Sequence, residues 1–512
     1  MPFPEFTSLN LAQIALDMGA LWQKHDTFRR AVQQRAGQPT FTFYEGPPSA
    51  NGTPGIHHVL SRTVKDIFCR YKTQQGFHVP RRGGWDTHGL PVELAVEKQL
   101  GITKEDIGTK ISVEDYNARC RKTVLQYKDQ WDALTTRMGY WLDTAQPYLT
   151  FSRDYMESLW HILKQLYDKK LLYKSYSIQP YSPAAGTGLS AHELNQPGCY
   201  RPVKDTTIVA QFKVAGTSQD YFLAWTTTPW TLPANSALAV GKSIDYVKVR
   251  TFNPYTYQPV NVILAQAAVP RYFTTAAATD TTAFDQYQPG QTPIPWQVIA
   301  FYKGQDLVGE TYTQLLPYVQ PGGPAFRVIA GDFVSTDEGT GIVHIAPTFG
   351  ADDMRAAQKA NISPVTVQRG KDKYVPIVDR QGRFVPEITD FAGQYVKEAY
   401  ESEAVRQAPG YKSVDVQLAI KLKQENKAFL VAKYEHNYPH CWRTDKPILY
   451  YPLDAWFIKT TACKERLIAL NKTIRWQPGA TGTGRFGNWL ENLVDWNLSR
   501  DRYWGTPLPI WR

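Results

Sequence analysis

Glu45-Gly-Pro-Pro-Ser-Ala-Asn-Gly-Thr-Pro-Gly-Ile-His-His58 is a proline-broken turn that runs into two histidines at the start of a helix. Before it, Thr40-Phe-Thr-Phe-Tyr44 alternates polar and apolar side chains, which predicts a strand. After it, Ile56, Val59/Leu60, Val64, Ile67/Phe68 and Tyr71 recur at three-to-four spacing and predict a helix with an apolar face. Thr53 suits the N-cap of that helix, Pro54 its first position and Gly76 its end. Strand, glycine-bearing loop and helix N-terminus would turn free amides and a positive dipole end toward an anion, so the stretch reads as a nucleotide-phosphate site. Gly46, Gly52 and Gly55 allow close backbone approach. The dipole favours neutral imidazoles at His57 and His58, which can donate to phosphate without a full charge. Taken alone, the histidine pair reads first as a cap or a core feature.

The bulk numbers widen the frame. At ~150 residues per domain, 512 residues imply about two to four domains. Hydrophobic residues at 43% suffice for packed cores, and 15 Trp favour concave binding surfaces. A net charge of +10 fits a polyanionic partner such as nucleic acid, and equally a plain basic enzyme. No apolar run approaches membrane-spanning length, and Met1-Pro-Phe-Pro-Glu-Phe6 lacks a basic-then-apolar signal pattern. The five cysteines are odd in number and scattered, which suits a reducing cytoplasm.

Outward from the turn, Leu9–Gln34 predicts one amphipathic helix, and residues 39 to about 190 read as alternating strands and helices, with Ser152 capping one of them. After Arg201 come short strand-like runs: Thr206–Val214, Tyr221–Trp225, Tyr246–Arg250, Val260–Leu264, Val298–Tyr302, Arg327–Ile329 and Gly341–Ile345. They predict a compact, barrel-like β module. Ala267–Thr282 is Ala/Thr-rich and reads as a surface loop. Val396–Arg406 and Val416–Lys427 predict helices. Gly482-Thr-Gly-Arg-Phe-Gly487 fits GxGxxG but follows Pro478-Gly479 rather than a strand, so it reads as a loop.

Two further stretches carry chemistry. Gly84-Trp-Asp-Thr-His-Gly-Leu-Pro-Val-Glu93 sets Asp86 beside a glycine-flanked turn, suited to an ammonium-bearing substrate. Asn488–Trp511 gathers Trp and Tyr side chains around Arg500 and Arg502. With the Gly46–Gly52 loop, Pro180-Tyr-Ser182, Trp225-Thr-Thr-Thr-Pro-Trp-Thr-Leu-Pro-Ala-Asn235 and Gly339-Thr-Gly-Ile-Val-His-Ile-Ala-Pro347, these stretches resemble the class I aminoacyl-tRNA synthetases, and within them the isoleucyl-tRNA synthetase family.

The resemblance implies a Rossmann-like α/β catalytic core interrupted by a β-barrel-like editing domain. Residues 1–200 would hold the N-terminal helix and first half of the core, 201–395 the editing domain, and 396–512 the return segment and the start of the second half. The activity implied is ATP-dependent formation of isoleucyl-adenylate, transfer to tRNA(Ile), and hydrolysis of mischarged valine. Asp86 would bind the α-ammonium group. Glu45, Gly46 and Pro47 would border amino acid and adenylate, with Asn51, Gly55, His57 and His58 at ATP and both histidines catalytic. Editing is needed because one methylene is worth only ~1–3 kcal/mol in an apolar pocket, this family being the usual illustration of that limit. Thr226, Thr227 and Thr228 would supply hydroxyls at the scissile ester, His344 would exclude the larger side chain, and Asp353, rather than its neighbour Asp352, would hold the ammonium group. Without the family, the threonines read as the solvent face of a strand. Mg²⁺ would accompany ATP; the expected molecule is a cytoplasmic monomer with no membrane contact.

Two departures stand out. The family's His-x-Gly-His reads Gly55-Ile-His-His58 here, so the first histidine and the glycine have exchanged places. One phosphate donor is displaced, and such a donor can be worth ~2–4 kcal/mol in a transition state. Either His57 replaces it from a rearranged turn, or the synthetic site is weakened. At Cys441-Trp-Arg-Thr444 a Cys-x-x-Cys has lost its partner, so no zinc is expected there, as in the eukaryote-like branch; His57, His58, His78 and His88 lack zinc spacing as well. No Lys-Met-Ser-Lys-Ser-like loop or anticodon-binding domain is seen, so the chain is expected to be incomplete for synthesis. The other readings are a degenerate paralogue serving as amino-acid sensor or tRNA-binding module, and a stand-alone editing hydrolase.

Overall fold

The leading segment folds as two helices, α1 (Leu11–Lys24) and α2 (Thr27–Gln33), because the chain breaks at Asp26 with a left-handed φ of 47°. The single helix expected from Leu9 to Gln34 is corrected accordingly. A computed structural model describes residues 8–510 apart from Thr279 and residues 371–373. Met1–Phe6, Thr279 of the Ala/Thr stretch and Trp511 lie outside the described residues. The chain forms two compact units: one runs to Tyr173 and resumes at Ile458, and the other is Lys174–Phe457.

In the first unit, Thr40–Tyr44 is not a ladder strand. It keeps one parallel bridge, Thr40 to His78, with the Phe41 N–H donating to the His78 carbonyl at 2.9 Å. The alternation survives, with Phe41 and Phe43 half-buried and Thr42 and Tyr44 exposed, because extended backbone has period two whether or not a neighbour pairs with it. Pro47 and Pro48, which have no N–H to donate, then turn the chain away.

Helix α3 (Ile56–Gln74) follows, and it buries its polar side. Arg62, Asp66, Cys69 and Thr73 face inward, whereas Leu60 is 70% and Phe68 62% exposed. The inward groups are satisfied. Asp66 binds Arg70 at 2.6 Å and Arg81 at 3.0 Å, Arg62 donates to the Thr135 hydroxyl at 2.7 Å, and Arg81 donates to the Thr73 hydroxyl at 3.0 Å. Paired charges and bonded hydroxyls can be buried at little cost, so the apolar face expected to be buried is the outer one.

Strand β1 (Arg82–Trp85) leads through a turn into α4 (Leu90–Leu100), whose cap Gly89 has a φ of 112° that favours glycine. Then come α5 (Val113–Thr123), capped by the Ser112 hydroxyl, α6 (Lys128–Arg137), β2 (Asp143–Leu149), which pairs parallel with β1, and α7 (Arg153–Asp168), which Ser152 precedes without a capping bond from its hydroxyl. Val92, Val96, Tyr116, Cys120 and Trp504 form a core here.

The second unit contains β3 (Leu172–Ser182) paired with β4 (Thr187–Gly188), and a mixed nine-stranded sheet. Its strands are β5 (Tyr200–Lys213), β6 (Asp220–Thr226), β7 (Ala237–Val240), β8 (Asp245–Phe252), β9 (Pro259–Ala265), β10 (Gln297–Lys303), β11 (Arg327–Ala330), β12 (Ile342–Ile345) and β13 (Ala428–Pro439). The order is β10-β8-β9-β6-β12-β7-β11, branching at β6 to β5 and β13. Every strand-like run read after Arg201 is a strand. Helices α8 (Ala351–Lys359) and α9 (Val414–Gln424) lie between β12 and β13 in sequence.

Three local expectations are corrected. Val396–Arg406 is not one helix but a 3₁₀ turn at Glu398–Tyr400 and a single turn at Glu403–Arg406, since Lys397 is drawn inward to Asp205 at 2.8 Å. Gly482–Gly487 is helical rather than a loop. Two of its glycines serve packing, for a Cβ on Gly482 would lie 2.0 Å from Trp476 and one on Gly487 2.6 Å from the Gly482 carbonyl. The aromatic residues expected around Arg500 and Arg502 do not share one environment: among the described residues Trp489 and Trp496 are exposed, whereas Trp504 is buried.

Candidate functional site

Helix α3 starts two residues later than expected, with Gly55 rather than Thr53 as its cap. The capping acceptor is the imidazole of His58, whose Nδ1 receives the Gly55 N–H at 2.8 Å. A ring nitrogen that accepts carries no proton, so neutral His58 holds its proton on Nε2. Burial, with His57 and Arg62 nearby, lowers its pKa and keeps it neutral. His57 packs on His58 at a ring separation of 3.8 Å. Its ring fills the space a side chain at 55 would need, since a Cβ there would lie 2.7 Å from His57 Cε1. Histidine at 57 and glycine at 55 are therefore sterically coupled.

Beside this cap lies a cavity of about 420 Å³ lined by Glu45, Gly46, Asn51, Gly52, His58, Arg62, Lys65 and Trp131, among others. Trp131 on α6 pins the loop by donating to the Gly52 carbonyl at 2.9 Å, and Tyr127 N–H holds Ala50 at 3.0 Å. Lys65 pairs with Glu45 at 2.7 Å, and Glu45 also accepts from the Tyr140 hydroxyl. The Arg62 guanidinium lies over Trp131 at 5.1 Å. Of the expected residues, Glu45, Gly46, Asn51 and His58 line the cavity, while Pro47, Gly55, His57 and Asp86 do not. Asp86 directly follows β1, and its N–H donates to the Pro48 carbonyl at 3.0 Å, which ties it to the same turn. Burial raises its carboxyl above the ordinary range, opposed by the His88 N–H. Ser61, Arg62 and Lys65 were missed. Their signal was spacing: 58, 61, 62 and 65 share one helix face, opposite the apolar stripe that drew attention.

In the second unit, β6 ends at Thr226 and β12 carries His344. The Thr228 N–H donates to the Thr226 hydroxyl at 3.1 Å, which closes a tight turn into the 3₁₀ segment Pro229–Ala234; Thr227 and Thr228 are half-buried in it. His344 is buried between Thr231, at 2.9 Å from Nε2, and Asn235, at 3.0 Å from Nδ1. Burial pushes its pKa down to about 4, so it is neutral. Asp353 on α8 folds back over Gly350 to accept the Ala346 N–H at 2.8 Å, and burial lifts its pKa to about 6. Asp352 points outward and pairs with Arg355. Thr231 and Asn235 lie in the quoted Trp225–Asn235 stretch but were given no role, and Tyr312 was missed because it lies far from that stretch along the chain. Among the described residues, no group of three or more His, Cys, Asp or Glu is placed to hold a metal ion.

A family model described as class I tRNA synthetases, of the isoleucine, leucine, methionine and valine group, matches residues 17–512. The chain belongs to this family. Within the class I synthetases it is 64% identical to an isoleucine–tRNA ligase of Cytophaga hutchinsonii, over 98% of this chain and 46% of that protein. It is 56% identical to one of Bacteroides fragilis, over 100% of this chain and again 46% of that protein. The chain thus spans about half the length of the curated relatives it matches. A solved complex of Agrobacterium radiobacter LeuRS with tRNA and LeuAMS covers 83% of this chain and 49% of that chain at 14% identity, with a TM-score of 0.31. Family membership carries the α/β class that the motifs implied.

Proposed function

We propose that this chain is part of an isoleucine–tRNA ligase, with residues 1–200 and 396–512 contributing to adenylate synthesis and 201–395 to editing. The observation that carries the synthetic reading is the cavity at the start of α3, where a neutral His58 offers an Nε2 proton beside Gly46, Asn51 and the cations Arg62 and Lys65. Phosphates of ATP suit such a lining, since they take hydrogen bonds from imidazole and charge from the two cations. Asp86 would hold the ammonium of isoleucine, bordered by Glu45, Gly46 and Pro47. His57, leaning on His58, would act at the same phosphates from its exchanged position. The cavity has one carboxylate, Glu45, already engaged by Lys65, so the chain does not itself fit as a Mg²⁺ cage.

For editing, tRNA(Ile) carrying valine would present its ester to Thr226, Thr227 and Thr228, its ammonium to Asp353, and its side chain to His344. A neutral, buried imidazole held on both nitrogens makes a rigid wall, which a size filter of one methylene requires. Synthesis in the cytoplasm by a monomer completes the proposal; among the described residues no helix is long and apolar enough to cross a membrane. Isoleucine-dependent ATP–pyrophosphate exchange by the full-length polypeptide tests the synthetic reading. Exchange is expected with isoleucine, and its absence would overturn the reading.

A further inference from the structure

The polar groups behind His344 form one directed chain, and its direction follows from bookkeeping of protons. Asn235 Nδ2 lies 2.9 Å from the Ala237 carbonyl, which can only accept, so that atom is the amide nitrogen. The amide oxygen then faces the Tyr312 hydroxyl, which donates to it at 2.7 Å. The same Nδ2 reaches His344 Nδ1 at 3.0 Å, so Nδ1 accepts and the imidazole proton sits on Nε2. Nε2–H donates to the Thr231 hydroxyl at 2.9 Å, whose own proton goes to the Thr228 carbonyl at 2.8 Å. Tyr312 is buried and held by ring contacts to Phe212 and Phe326, and its pKa is raised well above the ordinary value, so it stays a donor.

We propose that Tyr312 is a positioning residue for valine–isoleucine discrimination, because its hydroxyl locks the Asn235 amide and thereby the Nε2–H tautomer and ring plane of His344. This rests on the editing reading above. Without that hydroxyl the Asn235 oxygen is left unsatisfied, so only the Ala237 carbonyl still opposes an amide flip that would present oxygen to Nδ1 and move the ring proton there. Thr231 would then have to turn its own proton from Thr228 to Nε2. The turn that holds Thr226–Thr228 is thus coupled to a phenol on a distant segment.

The test uses the 512-residue chain labelled with ¹⁵N-histidine, His344→Gln assigning the resonances. Wild type should show a protonated Nε2 and a bare Nδ1 at position 344. Tyr312→Phe, which keeps the ring contacts, should mix the tautomers and lower the ratio of Val-tRNA to Ile-tRNA deacylation by about fivefold to tenfold, the scale of one hydrogen bond. Thr231→Ser should match wild type in both readouts, and Thr231→Val should free the ring as Tyr312→Phe does, which covers the case of a poorly folded Tyr312 variant. A wild-type Nδ1–H tautomer, or an unchanged ratio in Tyr312→Phe, would overturn the proposal. If wild type hydrolyses neither ester, the editing reading fails, while the nitrogen resonances still decide the lock.

Discussion

The exchange of glycine and histidine at 55 and 57 is a matter of where one Cβ can go. Gly55 leaves room for the His57 ring, and that ring packs against the imidazole that caps α3. Gly55→Ala should push the His57 ring off His58 and lower ATP–pyrophosphate exchange of the full-length polypeptide, whereas Gly55→Ala/His57→Gly should recover most of the loss. In a double-mutant cycle the coupling should reach about 1 kcal/mol or more, as for residues in contact. Additive effects would show that the two positions act separately. The sequence disclosed the exchange but not its geometry, because a motif names residues and leaves open which ring lies over which backbone. It also pointed to Asp353 over Asp352, and the structure turns the first inward and pairs the second with Arg355.

At the scale of elements, α3 shows how a correct helix can be given the wrong buried face. Its apolar stripe was plain in the sequence. Its polar stripe, Arg62, Asp66, Cys69 and Thr73, has the same helical spacing, but the partners that make it buriable, Arg81 and Thr135, lie elsewhere in the chain. Local pattern cannot weigh a salt bridge it does not contain. Asp66→Ala should therefore destabilise the first unit by about 3–5 kcal/mol, the cost of leaving a buried cation without its partner. Leu60→Glu and Phe68→Glu should change stability by less than about 0.5 kcal/mol and leave the chain a monomer. Chemical denaturation and light scattering check both; a large loss in Phe68→Glu would mean that the outer face is packed. The β module was legible because its runs are short, rich in Val, Ile and aromatic residues and broken by turn residues, while Thr40–Tyr44 alternates without a ladder partner beyond His78.

Across the whole molecule, the unit Lys174–Phe457 carries carboxyls that its fold holds toward the neutral form. Asp415, which receives the Trp230 N–H at 3.0 Å, is pushed up by burial to about 7, and Asp353 to about 6. Both folded values exceed the ordinary aspartate value of 3.8. Ionisation thus opposes folding: the cost is absent below about pH 4 and complete above about pH 7. Lys397 is shifted upward, so its contribution is constant across that window. The denaturation midpoint of this unit should fall between pH 5 and 8, the two carboxyls outweighing His344, whose lowered pKa adds stability up to about pH 6.5, and Asp415→Asn should flatten the slope. A midpoint that rises over that range would show that other groups dominate. We propose that residues 201–395 within this unit sort esters by one methylene, and deacylation is the test. Offered Val-tRNA(Ile) and Ile-tRNA(Ile), the chain should hydrolyse the valyl ester and spare the isoleucyl one, and His344→Ala should hydrolyse both. Equal rates in wild type, or a His344→Ala variant that still spares isoleucine, would contradict it.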